Sequence, residues 1–535
     1  MKKNKMIIEK AKNGRHTCKY EIKNGVFKYL YSKYTPENIQ VQYNINADAD
    51  CLVVLGLGLG YEIEIIKSLT NKPIFVIEYD PAFYDYIQND RVLNNVKVFI
   101  EEEYKNFSFE NKKVQYIINY NLIECNTNFY KNVMEFYKNS INKSRTIIVY
   151  DHPTIAKDCA ISFEKMGFNV KILQLNDLNK VYKDIIEVQP DYIFTVNFIN
   201  VIADICEQLQ TLYISWTVDT PCYTLYEREI NYNYSILFVY DEAVVNDLKT
   251  KGIKNVDYMP VAANVDRLNK IVLNNNDIQK YSSDVSFLGS CTSHNEYMNI
   301  IKPRLSLPVQ ELIEKLINAQ MYSEQFLIKE LVEEDIVDLV NTDAKISFNK
   351  DKYLNLSIND AFSFLLGRYH TFVERTTYMA KIAEKYKTRL YGEKGWLLNE
   401  SPYIHKAYRK EVEHFIEMPK VFKCSKINLN ITRSFVESGL PMRVFDVLGS
   451  NAFLITNNKK DIQQLFSPDK DLVVYRDLQD LLELIDYYLL HENKRNIIRQ
   501  QGFETLSKYH TYDIRLKRIL DKVDKYENEL KGFGF

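Results

Sequence analysis

Lys426 to Thr456, KINLNITRSFVESGLPMRVFDVLGSNAFLIT, passes from strand to polar loop to helix to strand in one short run. Ile427, Leu429 and Ile431 alternate with Asn428, Asn430 and Thr432, the period-two pattern of a strand. Ser434 to Gly439 breaks that pattern. Pro441 suits the first turn of a helix, Met442, Phe445, Val447 and Leu448 give the helix a buried face, and Phe453, Leu454 and Ile455 open the next strand. The result is a βαβ unit whose elbow sets backbone amides around Gly439 at a helix N-terminus. Arg433 precedes it and Arg443 lies in the first turns, an arrangement that suits a phosphate or diphosphate. An ordinary βαβ crossover with a solvated Arg and Asp would read the same way locally.

Working outward, composition bounds what surrounds this unit. A chain of 535 residues exceeds a single core and implies about three to four domains. Hydrophobic residues at 46% and charged residues at 26% are ordinary for a soluble globular protein. A formal net charge of −2 leaves no electrostatic footprint for nucleic acid or an anionic membrane. The eight cysteines stand singly, without a C-x-x-C pair, which favours reduced thiols over a disulfide frame or a zinc site. No apolar leader or membrane-spanning run is present, so the expectation is a cytoplasmic protein. The 40 tyrosines fit an A+T-rich coding bias and are not read as a binding signal.

Toward the N-terminus, Leu52 to Leu55 forms an apolar strand that meets a glycine turn (Gly56, Gly58, Gly60), a helix, and a second strand, Ile74 to Ile77, closed by Glu78. Glycines allow a ligand close to the backbone, and an acidic group ending the second strand can accept ribose hydroxyl hydrogen bonds. This Rossmann-like nucleotide fingerprint serves an S-adenosylmethionine methyltransferase, a dinucleotide enzyme, or a purely structural fold. Asp48-Ala49-Asp50 has the D-x-D spacing of a metal-diphosphate clamp, but it precedes its strand and reads as a polar turn.

From Arg145, strands at Thr146 to Val149, Val170 to Leu173, Tyr192 to Val196, Leu212 to Ser215, Ile236 to Tyr240 and Val256 to Met259 alternate with helical stretches, which specifies a parallel sheet covered on both faces. His152 and Asp219 fall in loops after such strands, where sites gather. Either could be the base that takes a proton from an acceptor hydroxyl. Asp219 could equally brace its loop, and a retaining mechanism would need no base. Between Ser290 and Tyr386 the strand signal gives way to helices at Val309 to Ala319, Glu324 to Val340, Asp360 to Leu366 and Thr371 to Tyr386. His370 and Glu374 share a helix face, but nothing completes a metal site around them.

INLNIT followed by SGLPMRVFDVLGSNAFLITN resembles the C-terminal half of spore-coat-maturation GT-B glycosyltransferases, in which a G-[IL]-P-x-R-x-F-[DE] helix follows the donor loop. YGEKGW, Tyr391 to Trp396, resembles that family's loop near the donor base. ISWTVDTP, LFVYDEAVVNDLKTKGIKNVDYMPVAANVD and DVSFLGS follow in the family's order. LGLGLGY with VIEYDPAFY resembles the N-terminal Rossmann-like domain of motility accessory factors, which are implicated in flagellin glycosylation. The resemblance implies an α/β chain with a GT-B pair of Rossmann-like domains facing a cleft, preceded by a third Rossmann-like domain. The implied division is 1–143, 144–289, a helical insertion at 290–387, and a donor domain at 388–535. Asp446 would bind the donor's ribose, and Gly289, Gly392, Asn430, Arg433, Ser438, Gly439 and Arg443 would line the rest of the donor site. Related enzymes often carry Glu at the place of Ser438.

The expectation is therefore a bacterial-type, metal-independent glycosyltransferase that requires no further cofactor. Its donor would be a nucleotide-diphosphate sugar, a UDP-sugar first, and its acceptor a protein such as flagellin or another surface protein. Two other classes stay open. One is a methyltransferase or bifunctional enzyme acting through Gly56 to Glu78. The other is a non-catalytic protein that binds sugar or nucleotide, which the Ser438 departure favours.

Overall fold

The computed structural model describes residues 6–23, 26–39, 43–109, 112–123, 125–138, 144–175, 178–228, 230–348 and 356–532. The chain divides into two compact units, the first made of residues 1–148, 174–192 and 204–212, the second of 149–173, 193–203 and 213–535.

The first unit contains a parallel sheet in the order Val96–Ile100, Ile74–Glu78, Cys51–Leu55, Val114–Ile118. Its central strand is apolar at every position because both faces are covered. Leu52 and Val54 pack with Ile63 and Ile66 of the helix Tyr61–Leu69, while Val53 and Leu55 pack with Tyr130 and Val133 of the helix Thr127–Lys138. Strand order reverses between Cys51–Leu55 and Val114–Ile118, the kind of point at which such sheets bind ligands. A separate antiparallel sheet, Met6–Lys10, His16–Lys23 and Val26–Tyr29, was not anticipated from the sequence. Asp50 lies in the turn before the first parallel strand, where its Oδ2 accepts from the Lys113 amide at 2.7 Å.

The second unit carries the elements of a GT-B fold, two Rossmann-like α/β sheets. One sheet runs in the order Val256–Tyr258, Ser235–Val239, Leu212–Thr217, Tyr192–Val196, Thr146–Tyr150, Asn169–Leu173. The other runs Thr388–Tyr391, Ser283–Leu288, Ser425–Asn430, Leu454–Asn457, Val473–Tyr475, with every neighbouring pair parallel. The expected strand at Lys426 to Ile431 and the helix after it are both present, the helix as Met442–Gly449 with Pro441 at its N-cap.

Helices fill the stretch between Ser283–Leu288 and Thr388–Tyr391, with two differences from expectation. The expected pair at 360–366 and 371–386 is one helix, Ile358–Lys385. Gly367, which reads as a breaker, instead makes room, since a Cβ there would stand 2.8 Å from the Phe435 ring. The expected single helix at 324–340 is two, Leu327–Leu331 and Glu334–Ala344, parted where Val332 turns extended at ψ 98°. The last helix, Tyr512–Gly532, packs on Ala156–Lys165, where Asp513 accepts from Ser162 Oγ at 2.5 Å and pairs with Lys165 at 3.1 Å.

Candidate active site

The loop from Ile431 to Leu440 leaves the C-terminal end of the strand Ser425–Asn430 and is fixed from several sides. Arg375 on the long helix donates to the Ile431 carbonyl at 2.5 Å and to the Ser290 carbonyl at 2.6 Å. Lys459 is buried and donates to the carbonyls of Ser434 and Val436. His370 Nδ1 meets Ser434 Oγ at 3.2 Å. With its carbonyls held by cations, the loop is left with spare amides. Among the described residues, those of Arg433, Ser434, Phe435, Gly439 and Leu440 make no intramolecular hydrogen bond. Gly439 is required for packing, because a Cβ would come within 2.9 Å of the Tyr240 ring and 3.0 Å of the Tyr240 carbonyl oxygen.

Two charged side chains next to this loop also lack partners. Arg433 makes no hydrogen bond or ion pair among the described residues, and its guanidinium lies over the Phe435 ring. Burial lowers its pKa, with Tyr240, Asp219 and Glu393 acting in the opposite sense. Asp446, one turn into the helix Met442–Gly449, is 4% exposed, and its carboxylate accepts no hydrogen bond among the described residues. Burial raises its pKa, while His414, Arg443 and Arg267 favour its charged form. A buried carboxylate without donors is costly, and a ligand bearing hydroxyl groups would satisfy it.

Residues 372–521 match the profile of a family described as glycosyl transferase-like. This segment is a glycosyl transferase-like domain. It takes in Arg375, the whole loop from Ile431 to Leu440 and Asp446. No curated protein matches the chain. Among solved structures, a glycosyltransferase from Rickettsia africae is 10% identical over 72% of this chain and 99% of its own, with a TM-score of 0.40. HepE of Anabaena in complex with UDP-glucose is 10% identical over 71% and 99%, with a TM-score of 0.41. Sucrose-phosphate synthase from Thermosynechococcus elongatus is 7% identical over 71% and 99%, with a TM-score of 0.42.

Several residues expected at the donor site of the glycosyl transferase-like domain have other work. Ser438 is not free for a ligand. Its hydroxyl donates to Asp241 Oδ1 at 2.7 Å, its amide to the same atom at 3.2 Å, and the Glu437 amide to Asp241 Oδ2 at 3.1 Å. Asp241 is fully buried and also caps the helix Glu242–Thr250, so Ser438 is a latch between loop and helix. Arg443 is turned into the domain, with a nitrogen 3.0 Å from Met418 Sδ and its guanidinium over the Phe422 ring. Burial lowers its pKa, with Asp446 acting in the opposite sense. Asn430 spends its amide nitrogen on Thr432 and Thr456, at 2.8 and 2.9 Å, bracing strand ends. Gly392 and Gly289 sit against each other, since a Cβ on Gly392 would lie 2.2 Å from the Gly289 carbonyl oxygen, which also accepts from Trp396 Nε1 at 2.9 Å.

Of the two base candidates, Asp219 is exposed, with Oδ2 held by Asn197 at 2.8 Å. His152 is half-buried, and Thr154 Oγ1 lies 3.3 Å from its Nδ1. Burial lowers the His152 pKa, with Asp219 and Asp151 opposing, so the imidazole is neutral at pH 7. Sequence reasoning missed His414, whose loop is anchored by Arg267. That arginine donates to the Phe415 carbonyl at 3.2 Å, lies over the Phe415 ring, and forms a forked pair with buried Asp158 at 2.8 and 3.1 Å. It also missed Asp241, whose place before an acidic, apolar-periodic run is an N-cap signal.

The glycine loop of the first unit departs most from expectation. Gly56, Gly58 and Gly60 do have positive φ, at 97°, 56° and 86°. Glu78, however, accepts from its own loop, at 2.6 Å from the Leu57 amide and 3.2 Å from the Gly58 amide, and from the Asp80 amide and Tyr130 hydroxyl on its other oxygen. Tyr31 covers Gly58 so closely that a Cβ there would lie 2.0 Å from its hydroxyl. The amides expected to cradle a phosphate, and the carboxylate expected to take ribose, satisfy each other.

Proposed function

We propose that this protein transfers a glycosyl group from a nucleotide-diphosphate sugar, held against the glycosyl transferase-like domain, to a hydroxyl of a protein acceptor. Asp446 carries the reading. A buried carboxylate without a partner, on the helix that follows a loop of free amides, fits the two hydroxyls of a ribose. The spare amides of Gly439 and Leu440 and the guanidinium of Arg433 would meet the diphosphate. Because these donors are fixed before the donor sugar arrives, charge developing on the leaving diphosphate is stabilised without reorganisation, and the reaction needs no metal. His152, neutral and half-buried, is the base proposed for the acceptor hydroxyl, with Asp219 beside it favouring the imidazolium that forms. A UDP-sugar is the proposed donor. The proposed acceptor, flagellin or another surface protein, rests on the resemblance of the N-terminal region.

A thermal-shift series with UDP-, GDP- and CMP-sugars, on wild type and Asp446→Ala, tests the donor. Ligand at 100 times its dissociation constant should add ~2.7 kcal/mol to the wild type and nothing to the variant. Stabilisation by S-adenosylmethionine alone would overturn the proposal. His152→Ala should retain the donor-induced shift while losing transfer to the acceptor.

A further inference from the structure

The first unit holds a cavity of about 190 Å³ lined on one side by Met6, Tyr20 and Leu30 from the antiparallel sheet and its end, and on the other by residues at and beyond the ends of the strands Ile74–Glu78 and Val114–Ile118. Those strands lie on opposite sides of Cys51–Leu55, so the cavity opens where ligands of such sheets are expected. Its chemistry is not that of a phosphate site. No Lys, Arg or His is among its lining residues, and the neighbouring loop amides are taken by Glu78 and shielded by Tyr31.

What remains available is one acceptor and one donor beside rings. Asp80 caps its helix with Oδ1, 3.0 Å from the Ala82 amide, and its other oxygen accepts no hydrogen bond among the described residues. Asn126 accepts from the Phe129 amide at 3.3 Å, and its side-chain nitrogen is likewise without a partner. Phe83, Tyr79 and Tyr130 supply aromatic surface. A space of about 190 Å³ is far more than one water needs and admits a small molecule on the scale of a monosaccharide.

We propose that this cavity binds a phosphate-free molecule of about monosaccharide size, presenting hydroxyl or ammonium donors to Asp80 and an apolar face to the aromatic residues. An ammonium would gain from both Asp80 and the ring faces, whereas a neutral polyol would use only the hydrogen bonds.

The test is calorimetric titration of the full chain with glucosamine, glucose, S-adenosylmethionine and NAD, using wild type, Leu122→Trp and Asp80→Asn. Leu122 lines the cavity, so the tryptophan fills it, and asparagine at position 80 retains the helix cap while removing the charge. Glucosamine binding that Leu122→Trp abolishes and Asp80→Asn weakens at least tenfold would support an amine ligand. Binding of glucose that is abolished by the tryptophan but kept within twofold by the asparagine would support a polyol. Should Leu122→Trp fail to fold, Asn126→Leu replaces it, with at least a fivefold loss of either sugar expected. Absence of binding by both sugars, or binding of S-adenosylmethionine or NAD, would overturn the proposal.

Discussion

Two strand–glycine loop–helix units in this chain look alike in sequence and are opposite in state. At Gly56 to Gly60 the loop amides are bonded to Glu78 from the end of the neighbouring strand, and Tyr31 closes over the turn. At Ile431 to Leu440 cations hold the loop carbonyls from behind, and among the described residues several amides and the Asp446 carboxylate have no hydrogen-bond partner. A glycine motif thus reports backbone geometry. Whether it binds anything depends on which groups elsewhere reach its amides first.

The largest expected effect comes from removing the acid that holds one end of the second loop. Asp241→Ala would take the acceptor from the Glu437 amide and from the buried amide and hydroxyl of Ser438, leave the Ala243 amide only Ser438 Oγ, and should cost about 4 kcal/mol, measured by urea denaturation. A loss below about 1 kcal/mol would mean the loop is held without that latch. Next is Asp446→Ala, which should lower kcat/KM for the nucleotide sugar about 100-fold, the ~3 kcal/mol of two hydrogen bonds to a buried charge. An unchanged value would make the open loop as inert as the closed one.

Gly58→Ala sharpens the comparison from the other side. It places a Cβ on a residue at φ 56° and drives it into the Tyr31 hydroxyl, for an expected cost of about 2 kcal/mol. Tyr31→Phe in the same chain should return part of that loss, and additive effects in the double-mutant cycle would show that Tyr31 does not close the loop.

The smallest effect is one of pH. Burial raises the pKa of Glu62 in the first unit to about 7. An unfolded glutamate titrates near 4.3, so above that pH the native state binds more protons than the unfolded chain, and stability falls as pH rises through the folded value. Between pH 6 and 8 this amounts to about 1.4 kcal/mol, which Glu62→Gln should remove from the difference between the two denaturation curves. The same slope in both proteins would place the titration elsewhere.

Much of the fold was legible because a strand covered on both faces is apolar at every position and stops at a glycine, as Cys51–Leu55 does before Gly56, while Ser425–Asn430 shows itself by alternation of Ile427 and Leu429 with Asn428 and Asn430. The helical stretch was less so. Gly367 reads as a helix end, and only the Phe435 ring packed against it explains why the helix continues. In the candidate site, Asp446 was singled out by the family resemblance and Arg433 by its place just before the loop. Asp241, Lys459, Arg267 and His414 come from distant segments, and no spacing along the chain signals which of them will meet the loop. Ser438 shows the same limit, since its position follows the donor pattern while its bonds go to Asp241.

The helix Tyr512–Gly532 has a consequence for the order in which the protein is made. The residues of the first unit have all been synthesised once Leu212 is in place, so that unit can fold while translation continues. The second unit waits. Its helix Ala156–Lys165, made early, rests on Asp513 and the turns after it, which lie more than 300 residues further along the chain. Until they arrive, Ser162 and Lys165 are without the carboxylate they bond in the folded unit, and the second unit stays open through that length of elongation.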